Sequence, residues 1–104
     1  MNPDAKAAWL EALRSGRYKQ GKGYLRTEKD EFCCLGVLCD LGVKKAWDSL
    51  TAPGYRSYNG EGKMPPANVL QAAGLDRNAA GELAEMNDNG CSFEAIAKHI
   101  EETQ

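Results

Sequence analysis

No stretch of this 104-residue chain approaches the roughly 20 consecutive apolar residues that a membrane-spanning helix needs, so no membrane partner is expected. The first residues, MNPDAKAAWLEAL, bring an acid early and no basic region ahead of a long apolar run, so they do not read as a secretory signal. A cytoplasmic location follows as an expectation. Neither G-x-G-x-x-G nor a Walker sequence is present, and nucleotide binding has no specific support. There is no C-x-x-C pair for redox work, and the sole histidine, His99, has no readable thiol partner. Internal repeats and low-complexity tracts are also missing. The net charge of −2 argues neither for nor against a polyanionic partner.

The composition that remains is that of an ordinary globular chain, 42% hydrophobic and 27% charged, long enough for a single domain over residues 1–104 with one modest core. Its charge is mildly polarised. Residues 1–50 carry nine Lys/Arg against seven Asp/Glu, and residues 51–104 carry four against eight. A polarity of that size orients a partner without making a polyanion binder.

The pattern predicts an α+β fold, mostly helical, with about four helices and one or two short β-hairpins. The opening helix has readable ends: Asn2 as cap, Pro3 in the first turn, Asp4 at the positive end of the dipole, and Gly16 as the stop. Trp9, Ala12 and Leu13 recur on its inner face. Residues 17–31 lose that period, and Tyr24-Leu25-Arg26 suits a short strand whose hairpin partner ends near Phe32. The Lys44–Met64 region is the least regular; Trp47 and Leu50 are expected to close over the core, and Asn59-Gly60 signals a tight turn. Pro65-Pro66 opens a helix that uses Val69, Leu70 and Ala73 and stops at Gly74. Leu83 and Met86 face inward on the next helix, which ends at Asn89-Gly90. The last helix is capped by Ser92 and buries Phe93, Ile96, Ala97 and Ile100.

FCCLGVLCDLG, residues 32–42, holds three of the four cysteines. A structural zinc site pairs its ligands as C-x₂₋₄-C. Here Cys33 and Cys34 are adjacent and Cys39 lies five residues further, so no one helical face collects them. Cys91 and His99 would have to complete a metal or thiol site through the fold, and that zinc/thiol alternative stays open. The simpler reading is a buried helix, with a central strand as the alternative. In it, sulfur packs as a small hydrophobe and Gly36 lets a neighbouring element come close. Asp40, the one charge in this run, needs donors, and Arg14, Arg17 and Arg26 are the candidates.

RSGRYKQGKGYLR, residues 14–26, places Arg14, Arg17, Lys19, Lys22 and Arg26 beside Tyr18 and Tyr24 without one acid. Basic groups hold phosphates and aromatics stack on bases, so weak nucleic-acid binding is one expectation for these seven residues. A protein-binding surface is the other, and a plain solvated face accounts for them as well. NDNGCSF, residues 87–93, lacks the calcium-loop ligand pattern and reads as a turn before the Ser92 cap.

Four segments in order carry a resemblance. W-x-x-A-L-x-S-G-x-Y-x-Q-x-x-G at Trp9–Gly23, C-C-L-G-V-L-C-D-L at Cys33–Leu41, G-L at Gly74-Leu75 and N-D-x-G-x-S-F-x-x-I-A at Asn87–Ala97 resemble a family of small bacteriophage- and prophage-encoded proteins of uncharacterised activity. Where that pattern has leucine before Asn87-Asp88, this chain has Met86. The resemblance implies a phage accessory origin and brings no cofactor or catalytic residue. Class analogy then favours a non-enzymatic protein-binding module acting on a host or phage protein.

Overall fold

The computed structural model describes residues 1–42, 46–50 and 53–104. In that range five helices, α1 (Pro3–Arg14), α2 (Cys34–Leu41), α3 (Ala67–Ala73), α4 (Arg77–Asp88) and α5 (Phe93–Thr103), accompany four two-residue strands. The strands are β1 (Lys19–Gln20), β2 (Arg26–Thr27), β3 (Glu31–Phe32) and β4 (Tyr55–Arg56). The result is the expected small, mostly helical α+β domain. Its sheet order is β1-β3-β2-β4, with β1 parallel to β3 and the other pairs antiparallel. The expected hairpin is β2–β3. The parallel partner β1 was not foreseen.

The helix ends follow local chemistry. Asn2 Oδ1 accepts from the amides of Asp4 and Ala5, and Ser92 Oγ accepts from Ala95 N. Asp76 Oδ1 likewise receives Asn78 N and Ala79 N at the head of α4. The N-terminus of α1 is also tied to the end of α3, since Asn2 N donates to Ala73 O at 2.8 Å. Asn59 and Gly60 both take positive φ, 50° and 85°, and close the Tyr58–Glu61 turn as their residue types require.

Residues 34–41 form a helix, which decides against the strand alternative. It is buried almost all round: Cys34, Leu35, Val37 and Cys39 are fully enclosed, packed by α1 and α4. Trp9 Nε1 donates to Cys34 O at 2.9 Å, which sets α1 against α2. Leu25, also fully buried, runs its backbone across Gly36. A Cβ on Gly36 would stand 1.8 Å from Leu25 O, so only glycine permits this approach. Leu50, by contrast, is 44% exposed and does not close over the core. Trp47 does pack, edge-on to Phe32 and Tyr58. The first residue of the irregular stretch, Lys44, lies outside the described residues.

Among the described residues, one polar side chain is wholly buried. Asn87, near the end of α4, accepts through Oδ1 from Cys34 N (3.2 Å) and Gln20 Nε2 (2.9 Å), and donates through Nδ2 to Gly21 O (2.8 Å). Gln20 extends the network, donating to Cys91 O and accepting from Phe93 N at the start of α5.

Two substitutions test this packing. Gly36→Ala forces the Leu25 backbone away from α2, at a cost of about 3 kcal/mol or more, the upper end for overpacking. Urea unfolding measures it, and a wild-type midpoint would refute the close approach. Asn87→Leu strands the Cys34 amide and the Gly21 carbonyl, so a loss of about 3 kcal/mol is expected from two orphaned buried groups. A loss under about 1 kcal/mol would mean that the network is not what holds β1 to α4.

Candidate functional site

The basic stretch 14–26 is spread over several different settings. Arg14 leaves α1 toward α5, reaching Glu101 at 3.3 Å and Glu94 at 3.8 Å. Arg17 folds back on Ser15, its Nε and backbone N both donating to Ser15 Oγ. Lys19 pairs with Glu31 across the parallel β1–β3 step at 3.3 Å. Tyr24 stacks on Tyr55 with centroids 4.5 Å apart and planes 4° from parallel, and Lys63 Nζ sits 5.7 Å from its ring. Three of the five positive charges of the stretch thus face carboxylates already, since Arg26 reaches Asp30 at 2.8 Å. Among the described residues, Arg17 and exposed Lys22 have no ion pair.

Arg26 and Tyr18 belong to an aromatic cluster that the sequence did not suggest. The Arg26 guanidinium lies 5.0 Å from the Phe32 centroid and 5.3 Å from that of Trp47, while Tyr18 meets Phe32 edge-on at 5.1 Å. Asp40 is the polar anchor of the group. Its Oδ2 accepts from Tyr18 OH at 2.5 Å and its Oδ1 from Trp47 Nε1 at 3.0 Å. Asp40's donors are therefore an aromatic hydroxyl and an indole rather than Arg14, Arg17 or Arg26. Those guanidiniums are committed elsewhere, and the neutral donors come with rings that cover the carboxylate's surroundings. Burial, then the hydrogen bond to Asp40, pushes the Tyr18 phenol up to about 12. It stays protonated and serves as a fixed donor. Asp48 plays the same part for the next turn. It accepts from Ser57 Oγ and Gly60 N at 2.6 and 2.7 Å, and these two bonds lower its pKa.

The cysteines are dispersed by chemistry as well as by position. Cys33, Cys34 and Cys39 are buried and Cys91 is half-buried, all four as free thiols. Cys33 Sγ accepts from Gly36 N at 3.4 Å, standing in for an oxygen cap at the head of α2. Cys34 Sγ points to Leu83 O at 3.6 Å. Burial raises the Cys33 thiol to about 11 and pushes Cys34 and Cys39 up as well, so none is a nucleophile at neutral pH. His99 lies across from Glu82 at 3.5 Å. Among the described residues no three His, Cys, Asp or Glu side chains converge as metal ligands.

A groove of about 280 Å³ lies between α1, α3 and the C-terminal end of α2. Leu38 and Leu41 form its floor, Ala5 and Ala8 one wall, Val69 and Ala72 the other. Ala8 and Ala72 are exposed. On α1, Asp4, Ala8 and Glu11 follow i, i+4, i+7 spacing and so share one stripe, setting a carboxylate on each side of the wall residue. Both acids are exposed and have no ion pair among the described residues. The sequence signal for this groove is the pair of alanine-rich helices, a feature that carries neither charge nor sulfur.

A family model described as a domain of unknown function (DUF8296) matches residues 1–104, and the chain belongs to that family. No curated protein and no solved structure matches it.

The thiols give a prediction in pH. Unfolded, a cysteine ionises near its ordinary 9.0, whereas folded Cys33 keeps its proton to about 11. The folded state thus holds more protons in that window. Stability that is fully present below about pH 9 is lost as pH rises through 11, at about 1.4 kcal/mol per pH unit for each such thiol. Urea midpoints across this range measure it, and Cys39→Ala should flatten the fall. A midpoint independent of alkaline pH would contradict the burial. In parallel, a disulfide reagent at neutral pH should label Cys91 ahead of the other three, which react only on unfolding.

Proposed function

We propose that this chain is a phage or prophage accessory protein. In this reading it is a non-enzymatic protein-binding module that receives a basic amphipathic helix of a host or phage partner in the α1–α3 groove. The observation that carries the reading is the groove's make-up: a leucine floor, walls of alanine and one valine, and free carboxylates beside one wall. Small walls let a partner's backbone come close, an apolar anchor removes Leu38 and Leu41 from water, and Lys or Arg beside the anchor meets Asp4 and Glu11.

Other features agree. The buried, protonated thiols offer no nucleophile, and the imidazole of His99 stands beside Glu82. The paired state of Arg14, Lys19 and Arg26 reduces what the stretch 14–26 can offer to phosphates, which favours a protein partner over nucleic acid. The phage resemblance rests on residues of the scaffold, such as Trp9, Cys34, Asn87 and Phe93, and is therefore a likeness in how the chain packs. A cytoplasmic setting goes with this reading, where free thiols persist.

Selection of helical peptides from a displayed library tests it. The expected winners carry an apolar anchor with Lys or Arg one turn away, and their binding weakens as salt rises. Ala8→Arg, at an exposed helical position, should change stability by no more than about 0.5 kcal/mol. It should nevertheless lower the affinity of the winners by about tenfold or more, since it fills the groove and reverses the charge beside it. Winners that bind Ala8→Arg as well as the parent, or that are acidic, would overturn the assignment.

A further inference from the structure

A second cavity, of about 300 Å³, opens on another side of α2, between the Gly23-Tyr24 turn, Lys63-Met64 and α4. It is independent of the α1–α3 groove. Cys33 forms part of its buried floor, Tyr24 and Met64 supply apolar walls, and Lys63 and Asp88 bring charges of opposite sign. Asp88 is oriented from within the protein, its Oδ1 accepting from Gly23 N at 2.9 Å. Its other oxygen has no hydrogen-bond partner among the described residues. Lys63 rests near the Tyr24 ring and forms no ion pair with Asp88, so the ammonium and the carboxylate line one cavity without reaching each other.

Gly81 makes the cavity more than a packing gap. It sits inside α4, where glycine weakens a helix relative to alanine. Neither usual reason for glycine applies. Its φ is not among the positive ones, and a Cβ built there meets nothing within 4 Å. The space that a side chain at 81 would enter is the cavity itself, which Gly81 lines. α4 therefore gives up helix stability at a position that lines this volume and leaves it open.

We infer that this cavity binds a small zwitterion with an apolar side chain, of the class of a free α-amino acid, its ammonium on Asp88 and its carboxylate on Lys63. The volume is at the small end for ligand sites, which suits a molecule of that size. The apolar portion covers Tyr24, Met64 and the wall left by Gly81 and Ala84. The two ligand charges fill the gap between protein charges that do not meet.

The probes are L-phenylalanine, L-leucine and L-methionine, titrated into the intact chain at millimolar levels and followed by amide chemical shifts. Saturable shifts at Gly23, Tyr24, Gly81 and Ala84 are expected with at least one of them. Phenethylamine and 3-phenylpropionate, each lacking one charge, should bind about tenfold or more weakly than phenylalanine. Gly81→Leu should raise the thermal midpoint, because leucine is the better helix former, and abolish binding because its side chain occupies the site. Lys63→Met, at an exposed position, should weaken the amino acid about tenfold while leaving phenethylamine unchanged. The assignment fails if none of the three amino acids gives saturable shifts, if Gly81→Leu binds as the parent does, or if either single-charge analogue matches phenylalanine.

Discussion

The side-chain amide of Asn87 is the point on which the arrangement of elements turns. An amide in the dry interior is tolerated only with its polar atoms engaged, and Asn87 meets that demand with groups from two separate parts of the chain, Gln20-Gly21 and Cys34. The amide of Cys34 is one of the orphan donors at the head of α2, and it finds its acceptor on α4 rather than in its own cap residue. Gln20 does the equivalent service for Phe93 at the head of α5. Two helix starts are thus completed by tertiary contact. The short β1 strand, too brief to be stable by itself, is positioned by the same bonds. Any slip of α4 along its axis breaks several of these bonds at once, so the network selects one register where apolar packing alone would accept several.

Around that point, sulfur and glycine set the spacing. Cys33 caps through a weak acceptor, and its S–H is a weaker donor than a serine hydroxyl, so leaving it without a strong partner costs less there. Cys34 and Cys39 fill the volume of small hydrophobes, and Gly36 admits the Leu25 backbone where any side chain would collide. Cysteine among leucines and valines is most often packed as a small hydrophobe, so the composition of this segment points to shape rather than reactivity. The raised thiol pKa values follow from the same burial and do not represent a separate specialisation.

Local features were the ones that could be read in advance. Asn2, Ser92, Gly74 and the Asn59-Gly60 turn act within a few residues of themselves, so their chemistry is visible in a short window. What escaped is chemistry between residues far apart along the chain. The run of five basic residues looked like one surface because the acids that pair with Arg14 and Lys19 enter from α5 and β3. Asp40 was matched to arginines because guanidinium is the usual partner of a buried carboxylate, yet the neighbours that reached it were Tyr18 and Trp47. Asn87 was nearer to being legible. It follows Ala80 and Leu83 at helical spacing, which marks an inward position, but the turn signals beside it in NDNG drew it into the loop.

α2 also explains the two depressions beside it. A helix enclosed on nearly every side must be walled by other elements, and those walls meet imperfectly at its two ends. At the N-terminal end, Cys33 is covered by a turn, an irregular segment and α4, and the gap among them is the cavity beside Gly81. At the C-terminal end, Leu38 and Leu41 are covered by α1 and α3, whose facing alanines are too small to close the seam. Both openings lie over residues whose own positions are set by the close contacts of α2 with Leu25, Trp9 and Asn87. Their shapes are therefore fixed by the interior. A larger residue at Ala8, Ala72 or Gly81 alters what can enter while leaving those contacts untouched, whereas a change at Gly36 or Asn87 reaches both openings through α2.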